Sequence, residues 1–334
     1  MPRLLRLPLR LVQAAALLVA AAAFLLVVLT RTQVGRDEVA RQVEQAFGER
    51  FRGDVEIGRL EGNLLWDLYA TDVRLRDPAG RAVLAADSVV LEPAWRSLIE
   101  QRLTIRRVTL FRPRLTLARS ASGRWNVVEA FERLVPDSTA GGDPLAFDLA
   151  SVRIVDGTLV TENAGAVPAA VASGVLFDYT NARATDLDAQ LRLAWGDAER
   201  TVRVERLSAD LPALFRIRRL DGTLRLSEGG LHFEGVRLRT DSTHLLGTLR
   251  LARGEPGPRT LDALLRPSVL SGAELARVLP ALPLAAPVEA QGQLSGPLDA
   301  LDVEWLALRH GASQVEFAGR ITGLPRRAGF DLRS

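Results

Sequence analysis

Apolar and polar side chains alternate along most of this chain after residue 50. From Val55 onward, short runs place valine, leucine, isoleucine or phenylalanine at every second position, with mostly arginine, threonine or glutamate between them. A period of two is typical of a β-strand with one solvent-exposed face, because successive side chains in a strand point to opposite sides of the sheet. Glycine, proline, asparagine and aspartate between the runs indicate turns. The alternation therefore predicts a mainly β protein built on an antiparallel sheet.

The alternating runs fall into two regions, with short helices between some of the strands. The first β-region covers 51–135, and the strands resume over 145–334 after a loop at 136–144 that has no apolar period. One short helix is predicted from Pro93 to residue 100. A second is predicted to begin near Asn126 as its N-cap, and a third near Ser271.

The sheet so predicted carries a continuous apolar face that something must cover. A second sheet would cover it in a sandwich, and an open, curved sheet would form a long groove filled by acyl chains. A barrel in lipid would turn its apolar residues outward with aromatic girdles, and this chain is poor in aromatic residues. The pattern alone supports a sandwich and a groove about equally.

Gly222 is predicted to lie within a strand. The dipeptide Asp221-Gly222 is typical of a type I′ hairpin turn. However, Leu220, Leu224 and Leu226 keep one phase on both sides of the glycine. This continuity favours a strand with a glycine on its apolar face.

The alternation slips by one residue at Gly235. The apolar residues before it, Leu231 and Phe233, are at odd-numbered positions, whereas those after it, Val236 and Leu238, are at even-numbered positions. A β-bulge inserts one extra residue into a strand and would keep all four side chains on one face. The slip therefore predicts a bulge, with His232 on the polar side.

The segment 11–30 is a predicted transmembrane helix. It contains no charge, and about 20 helical residues span one bilayer core. Three arginines precede it within 1–10 and two follow it closely, which favours a cytoplasmic N-terminus. A cleaved signal peptide is the alternative, but its apolar run would be shorter and would end at a small-residue site.

The segment 31–50 is a predicted amphipathic helix next to the membrane. Val39, Val43, Ala46 and Phe47 form one apolar stripe, and Gly48 is a plausible C-cap. The favoured interpretation is a helix that caps the end of the following sheet. The alternative is a linker that lies on the membrane surface.

Composition excludes several classes of function. The chain has no cysteine, so disulfides and cysteine nucleophiles are impossible, and the net charge is only +3. The pI of 10.2 arises because every basic residue is arginine. Arginines spread along strands are typical of a solvated face, and a nucleic-acid surface would cluster them with aromatic residues. No nucleic-acid partner is therefore expected.

No catalytic, metal or cofactor site is predicted. The three histidines, His232, His244 and His310, have no partners at metal-ligand spacing. Phosphate-binding glycine loops, nucleophile elbows and zinc-helix motifs are absent from the sequence. The chain is therefore not expected to be an enzyme or to carry a cofactor.

An ordered series of motifs over the first third of the chain resembles the AsmA-like family, in particular its TamB-like members. The motifs are VxIGxLxGNLL from Val55, LxxTDVRLxDxxG from Leu68, ADSVxL from Ala86, WxxL from Trp95, RLxIxxVxLxxPxLxL from Arg102 and GxWN from Gly123. The resemblance covers 11–126 closely. Beyond it, the chain is similar only as repetitive β-structure.

The resemblance implies a bacterial inner-membrane anchor and a periplasmic part that forms an elongated, curved, taco-like β-groove. Phospholipid acyl chains would fill the groove on their way toward the outer membrane. The alternative role is a scaffold for outer-membrane protein assembly without lipid conduction. An outer-membrane TamA-like barrel is the family's partner through a C-terminal domain that has no counterpart in these residues. The chain also ends at 330–334 within an alternating stretch, so we expect it to be the front of a longer protein.

The residues expected to line the groove are the apolar members of the alternating runs. They are Val73, Leu75, Leu103, Ile105, Leu191, Leu193, Val202, Val204, Leu224, Leu226, Leu231, Phe233, Val236 and Leu238.

Overall fold

The computed structural model describes most of the chain from residue 40 onward. The described residues are 40–41, 44–45, 47–49, 51–62, 67–93, 104–119, 124–132, 148–163, 181–195, 199–212, 214–227, 229–252, 260–278, 286–297, 300–322 and 329–333. The predicted anchor 11–30, its flank 1–10, the loop 136–144 and the predicted helix after Pro93 lie outside them. Within the described ranges, no helix has the length and apolar character needed to cross a bilayer.

The described residues form one curved sheet of 18 strands with few short helices, which confirms the prediction of a mainly β protein. The strands are β1 Asp54–Glu56, β2 Arg59–Gly62, β3 Leu68–Arg76, β4 Ala82–Pro93, β5 Thr104–Phe111, β6 Arg114–Arg119, β7 Asp148–Leu149, β8 Ser151–Asn163, β9 Arg183–Trp195, β10 Glu199–Leu211, β11 Phe215–Ser227, β12 Gly230–Arg239, β13 His244–Ala252, β14 Thr260–Leu270, β15 Val288–Pro297, β16 Ala300–His310, β17 Ser313–Thr322 and β18 Gly329–Arg333. The helices are α1 Asn126–Ala130 and α2 Gly272–Val278.

Strand order follows chain order from β8 to β18. Each of these strands pairs antiparallel with the next, as the alternation predicts. The first strands are arranged differently, because β1 and β2 both pair with β3. Strands β5 and β6 lie end to end between β4 and β8, with Arg112 and Pro113 between them.

The sheet is mixed, which corrects the prediction of an antiparallel sheet. Strands β7 and β8 run parallel to β5 and β6. A parallel neighbour needs a crossover of a dozen or more residues, and 120–147, which includes α1, provides that length. The period of two is the same in parallel and antiparallel strands, so the sequence pattern does not distinguish them.

Asn126 fixes α1 against β6. Its side chain is 0% exposed. Its Oδ1 accepts hydrogen bonds from the backbone N–H groups of Ala118 and Val127, both at 2.9 Å, and its Nδ2 donates to the Thr116 carbonyl at 2.8 Å. Trp125 occupies the capping position, so the prediction of Asn126 as the N-cap is wrong. The buried amide instead satisfies backbone groups of β6 beside the helix.

The helical residues described between 40 and 49 pack on the apolar face of the first strands. Ala40 joins a buried cluster with Leu60 and Ala70. Glu44 Oε1 accepts a hydrogen bond from the Ile57 N–H at 2.6 Å. Phe47 is the one member of the predicted stripe that is described, and it packs on a second cluster. The described helical residues therefore cover part of the apolar face of the first strands.

Helix α2 confirms the helix predicted near Ser271. It lies beside the chain segments that precede β11 and follow β12. Glu274 Oε2 accepts a hydrogen bond from the Thr240 hydroxyl at 2.6 Å, and Arg277 donates to the Leu214 carbonyl at 2.5 Å. Helix α2 therefore holds one end of these strands in place.

Candidate functional site

The described candidates for the groove lining are buried or half-buried, while the residues between them in the strands are mostly exposed. Leu224 lies opposite Val202 on β10 and Phe233 on β12, and Leu226 lies opposite Leu231. Residues directly opposite each other project from the same side of a sheet. The candidates in β10 to β12 therefore meet across strands. Leu103 lies outside the described residues, and Ile105 is placed only by its backbone in β5.

Two of the candidates are covered by protein. Val73 packs against the cluster that includes Ala40, and Leu75 is buried with Val83 and Ala130 of α1. Both clusters lie among the first strands, within residues 40–131. The alternation alone could not reveal this cover, because the covering residues come from separate helices. Apart from Ile105 in β5, the remaining described candidates lie in β9 to β12, outside these two clusters.

One apolar row crosses the sheet from β2 to β13. Each residue in the row is the direct cross-strand partner of the next. The row is Leu60, Ala70, Val89, Leu110, Ile154, Ala189, Leu207, Leu220, Leu238 and Leu245. The apolar face therefore continues across the parallel crossover without a polar break.

A second apolar row extends the face from β9 to β17. It is Leu193, Val202, Leu224, Phe233, Leu249, Ala263, Leu294, Val303 and Gly319. Neither row contains a charged or polar side chain. Together the two rows make one apolar face along the whole order of strands from β2 to β17.

The predicted bulge at Gly235 is confirmed. Phe233 lies opposite Leu249 and Val236 lies opposite Gly247, so β12 advances three residues while β13 advances two. Gly235 has φ +58°, in the left-handed region that favours glycine. The extra residue keeps Val236 on the same face as Phe233 although their parity differs.

Similar bulges recur on every second strand, and glycines lie beside them on the strands between. The bulges lie in β10 after Val204, in β12 before Val236, in β14 after Leu265 and in β16 after Val303. Each of these residues lies opposite a glycine on the neighbouring strand. The four pairs are Val204 with Gly222, Val236 with Gly247, Leu265 with Gly292 and Val303 with Gly319. We call this line of bulges and glycines the crease. Bulges bend a strand and increase its twist, so the crease is a place where the sheet curves.

The opposite face carries a row of mostly charged residues. From β11 to β18 the row is Arg225, His232, Arg250, Asp262, Ser295, Asp302, Arg320 and Asp331. Arg225 forms ion pairs with Glu199 at 3.0 Å and Glu234 at 3.2 Å. The hydrogen bond to Glu199, followed by that to Glu234, raises the pKa of Arg225 above its ordinary value. These exposed pairs are typical of a solvated face.

Asp221 is a buried charge on this polar face that the sequence pattern did not reveal. Its side chain is only 5% exposed, and it accepts hydrogen bonds from Arg219 at 2.8 Å and from Arg237. Burial acts to raise the pKa of Asp221, but the hydrogen bonds from Arg219 and then Arg237 outweigh it and lower the pKa. Arg237 lies on the neighbouring strand, so the carboxylate ties β11 to β12 beside the crease.

We expect Asp221→Asn to destabilise the fold by about 2 kcal/mol at pH 7, because two arginines lose their shared carboxylate. A carboxyl group whose folded pKa is lowered stabilises the fold above its unfolded pKa of about 3.9. This contribution is lost as the pH falls through the folded pKa. Urea unfolding, followed by tryptophan fluorescence, should therefore show the two proteins converging below about pH 4.

Asp241→Asn is the matched control, because Asp241 pairs with Arg218 but is 49% exposed. It should cost less than about 0.5 kcal/mol at pH 7. An equal loss in both variants would contradict the role assigned to Asp221.

The described residues provide no group of three or more histidine, aspartate or glutamate side chains that could hold a metal ion. His232 lies on the polar row, with Nδ1 3.2 Å from Glu234, and His310 Nδ1 is 3.0 Å from the Pro287 carbonyl.

No family model, curated protein or solved structure matches this chain. The fold therefore defines the chain as a mainly β protein with one large, curved, mixed sheet. The relation to TamB-like proteins stays a prediction from the motifs.

Proposed function

We propose that this chain is an inner-membrane-anchored bridge protein of the periplasm that carries phospholipid toward the outer membrane. Acyl chains would lie on the apolar face, and the opposite, charged face would contact water. The observation that carries this proposal is the pair of apolar rows that run from β2 to β17 without a polar residue. The compartment and the direction come from the motif resemblance.

Exposed apolar side chains on this face support an apolar occupant. Soluble proteins rarely leave apolar patches larger than a few hundred Å² exposed. The two buried clusters lie within 40–131, whereas the second row continues from β9 to β17. Leu249 in the middle of this row is 37% exposed. Each buried CH₂ group contributes about 0.8 kcal/mol, so long acyl chains are strongly favoured occupants of such a face.

The orientation of the row also supports a conduit rather than a single site. Both apolar rows run perpendicular to the strands, so they extend in the direction in which the strands follow one another in the sheet. An acyl chain could pass from strand to strand without meeting a charge. A conduit needs this continuity, whereas a binding pocket for one ligand does not.

Site-specific photo-crosslinking in living cells tests the proposal. A photoreactive residue placed singly at 224, 226, 231, 233, 236 or 238 should capture phospholipid, because the register puts these positions on the apolar face. The same residue at 225, 232 or 237 is the control on the polar face and should capture little.

Two outcomes would contradict the proposal. Crosslinks to protein at the apolar positions would favour the scaffold for outer-membrane protein assembly, in which a protein covers the face. Equal lipid capture at the apolar-face and polar-face positions would indicate general contact with a membrane rather than a one-sided groove.

A further inference from the structure

Four arginines from three strands line a cavity of about 440 Å³ on the polar side of the sheet. The lining residues are Arg206, Arg218, Arg219, Arg239, Thr240 and Asp241. They come from β10, from β11 and from the end of β12 with the turn that follows it. The arginines outnumber the carboxylates in this lining, so the lining residues carry a net positive charge.

Irregularities in the strand register bring these arginines together. In β10, the bulge after Val204 contains Arg206. In β11, Arg218 and Arg219 lie opposite the single residue Ser208, because Ile217 pairs with Ala209 and Leu220 with Leu207. A regular strand would point Arg218 and Arg219 to opposite faces. The register shift allows both of them to line the same cavity.

The cavity places like charges directly across from each other. Arg219 is the cross-strand partner of Arg239, and like charges at such positions destabilise a sheet. Arg219 bonds Asp221 at 2.8 Å, and Arg218 bonds Asp241 at 2.5 Å. Within the described part of the chain, Arg206 and Arg239 have neither an ion pair nor a side-chain hydrogen bond. Two of the four guanidinium groups are therefore open to a ligand.

We propose that this cavity binds a phosphate-class anion. Guanidinium groups bind phosphate oxygens in a bidentate manner, and an anion between Arg219 and Arg239 would relieve their repulsion. An adjoining cavity of about 270 Å³ shares Arg206 and Arg218 with the first, and it is also lined by Asp186, Asp188 and Asp210. Those carboxylates would repel an anion, which confines the site to the first cavity.

The ligand is the phosphodiester of a lipid headgroup or a free phosphate ion, which share this recognition chemistry. The cavity lies where β12 ends and the chain turns toward β13, and helix α2 holds that turn through Thr240 and Glu274. The anion site does not depend on acyl chains occupying the apolar face. A negative result for the anion site would therefore not count against lipid carriage on the apolar face, and a negative result for lipid carriage would not count against the anion site.

A ³¹P NMR titration of the purified full chain in a nonionic detergent tests the site. Inorganic phosphate represents the free ion, and glycerophosphoglycerol represents the lipid phosphodiester without its chains. We expect binding that weakens as the salt concentration rises from about 0.05 to 0.3 M. Tighter binding of one ligand identifies which source the site prefers.

The double variant Arg206→Gln/Arg239→Gln should bind either ligand about tenfold or more weakly, because each lost charge removes a charge-assisted hydrogen bond. The control is Arg203→Gln/Arg266→Gln, which removes the same charge from exposed strand positions outside this cavity. Its affinity should stay within about twofold of the original chain.

Absence of saturable binding of both ligands would overturn the proposal. So would an equal loss in the two double variants, because it would show that net charge rather than the cavity attracts the anion. The variants' urea midpoints, measured in parallel, should not fall below that of the original chain, because Arg239→Gln removes the repulsion with Arg219. A loss of binding then cannot be attributed to unfolding.

Discussion

Under the proposed lipid-carrying function, Leu224→Asp is expected to abolish lipid carriage while the chain stays folded and at the membrane. Leu224 is half-buried in the second apolar row, between Val202 and Phe233. A carboxylate among acyl chains has neither water nor a partner, so it repels the chains or takes up a proton at a cost of several kcal/mol. Phospholipid capture by a photoreactive residue at position 226 of the Leu224→Asp chain measures the effect.

Thr223→Asp is the matched control for this substitution. It adds the same charge one residue away, on the polar face opposite Arg203 and Glu234. Arg225→Asp is a weaker control, because it would remove the ion pairs with Glu199 and Glu234. We expect nearly normal capture from Thr223→Asp. Equal loss in both variants, at unchanged protein levels, would argue against a one-sided conduit.

The period of two predicts the faces of this sheet well, because it reports which side of the backbone each residue occupies. Gly222 lies within β11, opposite Val204, as the phase of its neighbours predicts. The bulge at Gly235 was predictable because the slip in alternation occurs within a single strand. Both results depend on local geometry, which neighbouring residues determine.

Features that depend on pairing between distant segments were not predictable in this way. Strand β8 joins β6 in parallel across a crossover, and neither strand's alternation differs from that of an antiparallel neighbour. Asn126 and Asp221 have buried polar roles because neighbouring elements supply their partners: Ala118 of β6 lies 8 residues before Asn126, and Arg237 of β12 lies 16 residues after Asp221. A polar residue in a strand pattern is expected to face water, unless the register supplies a partner.

The candidate site was predictable as a set of side chains but not as continuous rows. The alternation identifies Leu224 and Phe233 as members of one face, and only the register shows that they are direct partners. The cover over Val73 and Leu75 depends on helices whose packing the strand pattern does not contain. The crease was visible in part, because the slip at Gly235 occurs within one alternating run, whereas the register is needed to place glycines opposite bulges on neighbouring strands.

Gly247→Ala, a substitution in the crease, should destabilise the sheet by about 3 kcal/mol. A Cβ atom at Gly247 would lie 2.5 Å from the Leu264 carbonyl oxygen, and a backbone atom cannot move aside cheaply. Gly235→Ala meets open space but a positive φ, so it should cost about 1 kcal/mol. Gly229→Ala, whose Cβ would be 3.7 Å from its nearest neighbour, is the control and should change stability by less than about 0.5 kcal/mol. Urea unfolding followed by tryptophan fluorescence measures all three. If Gly247→Ala proves as mild as Gly229→Ala, close strand approach is not what requires glycine in the crease.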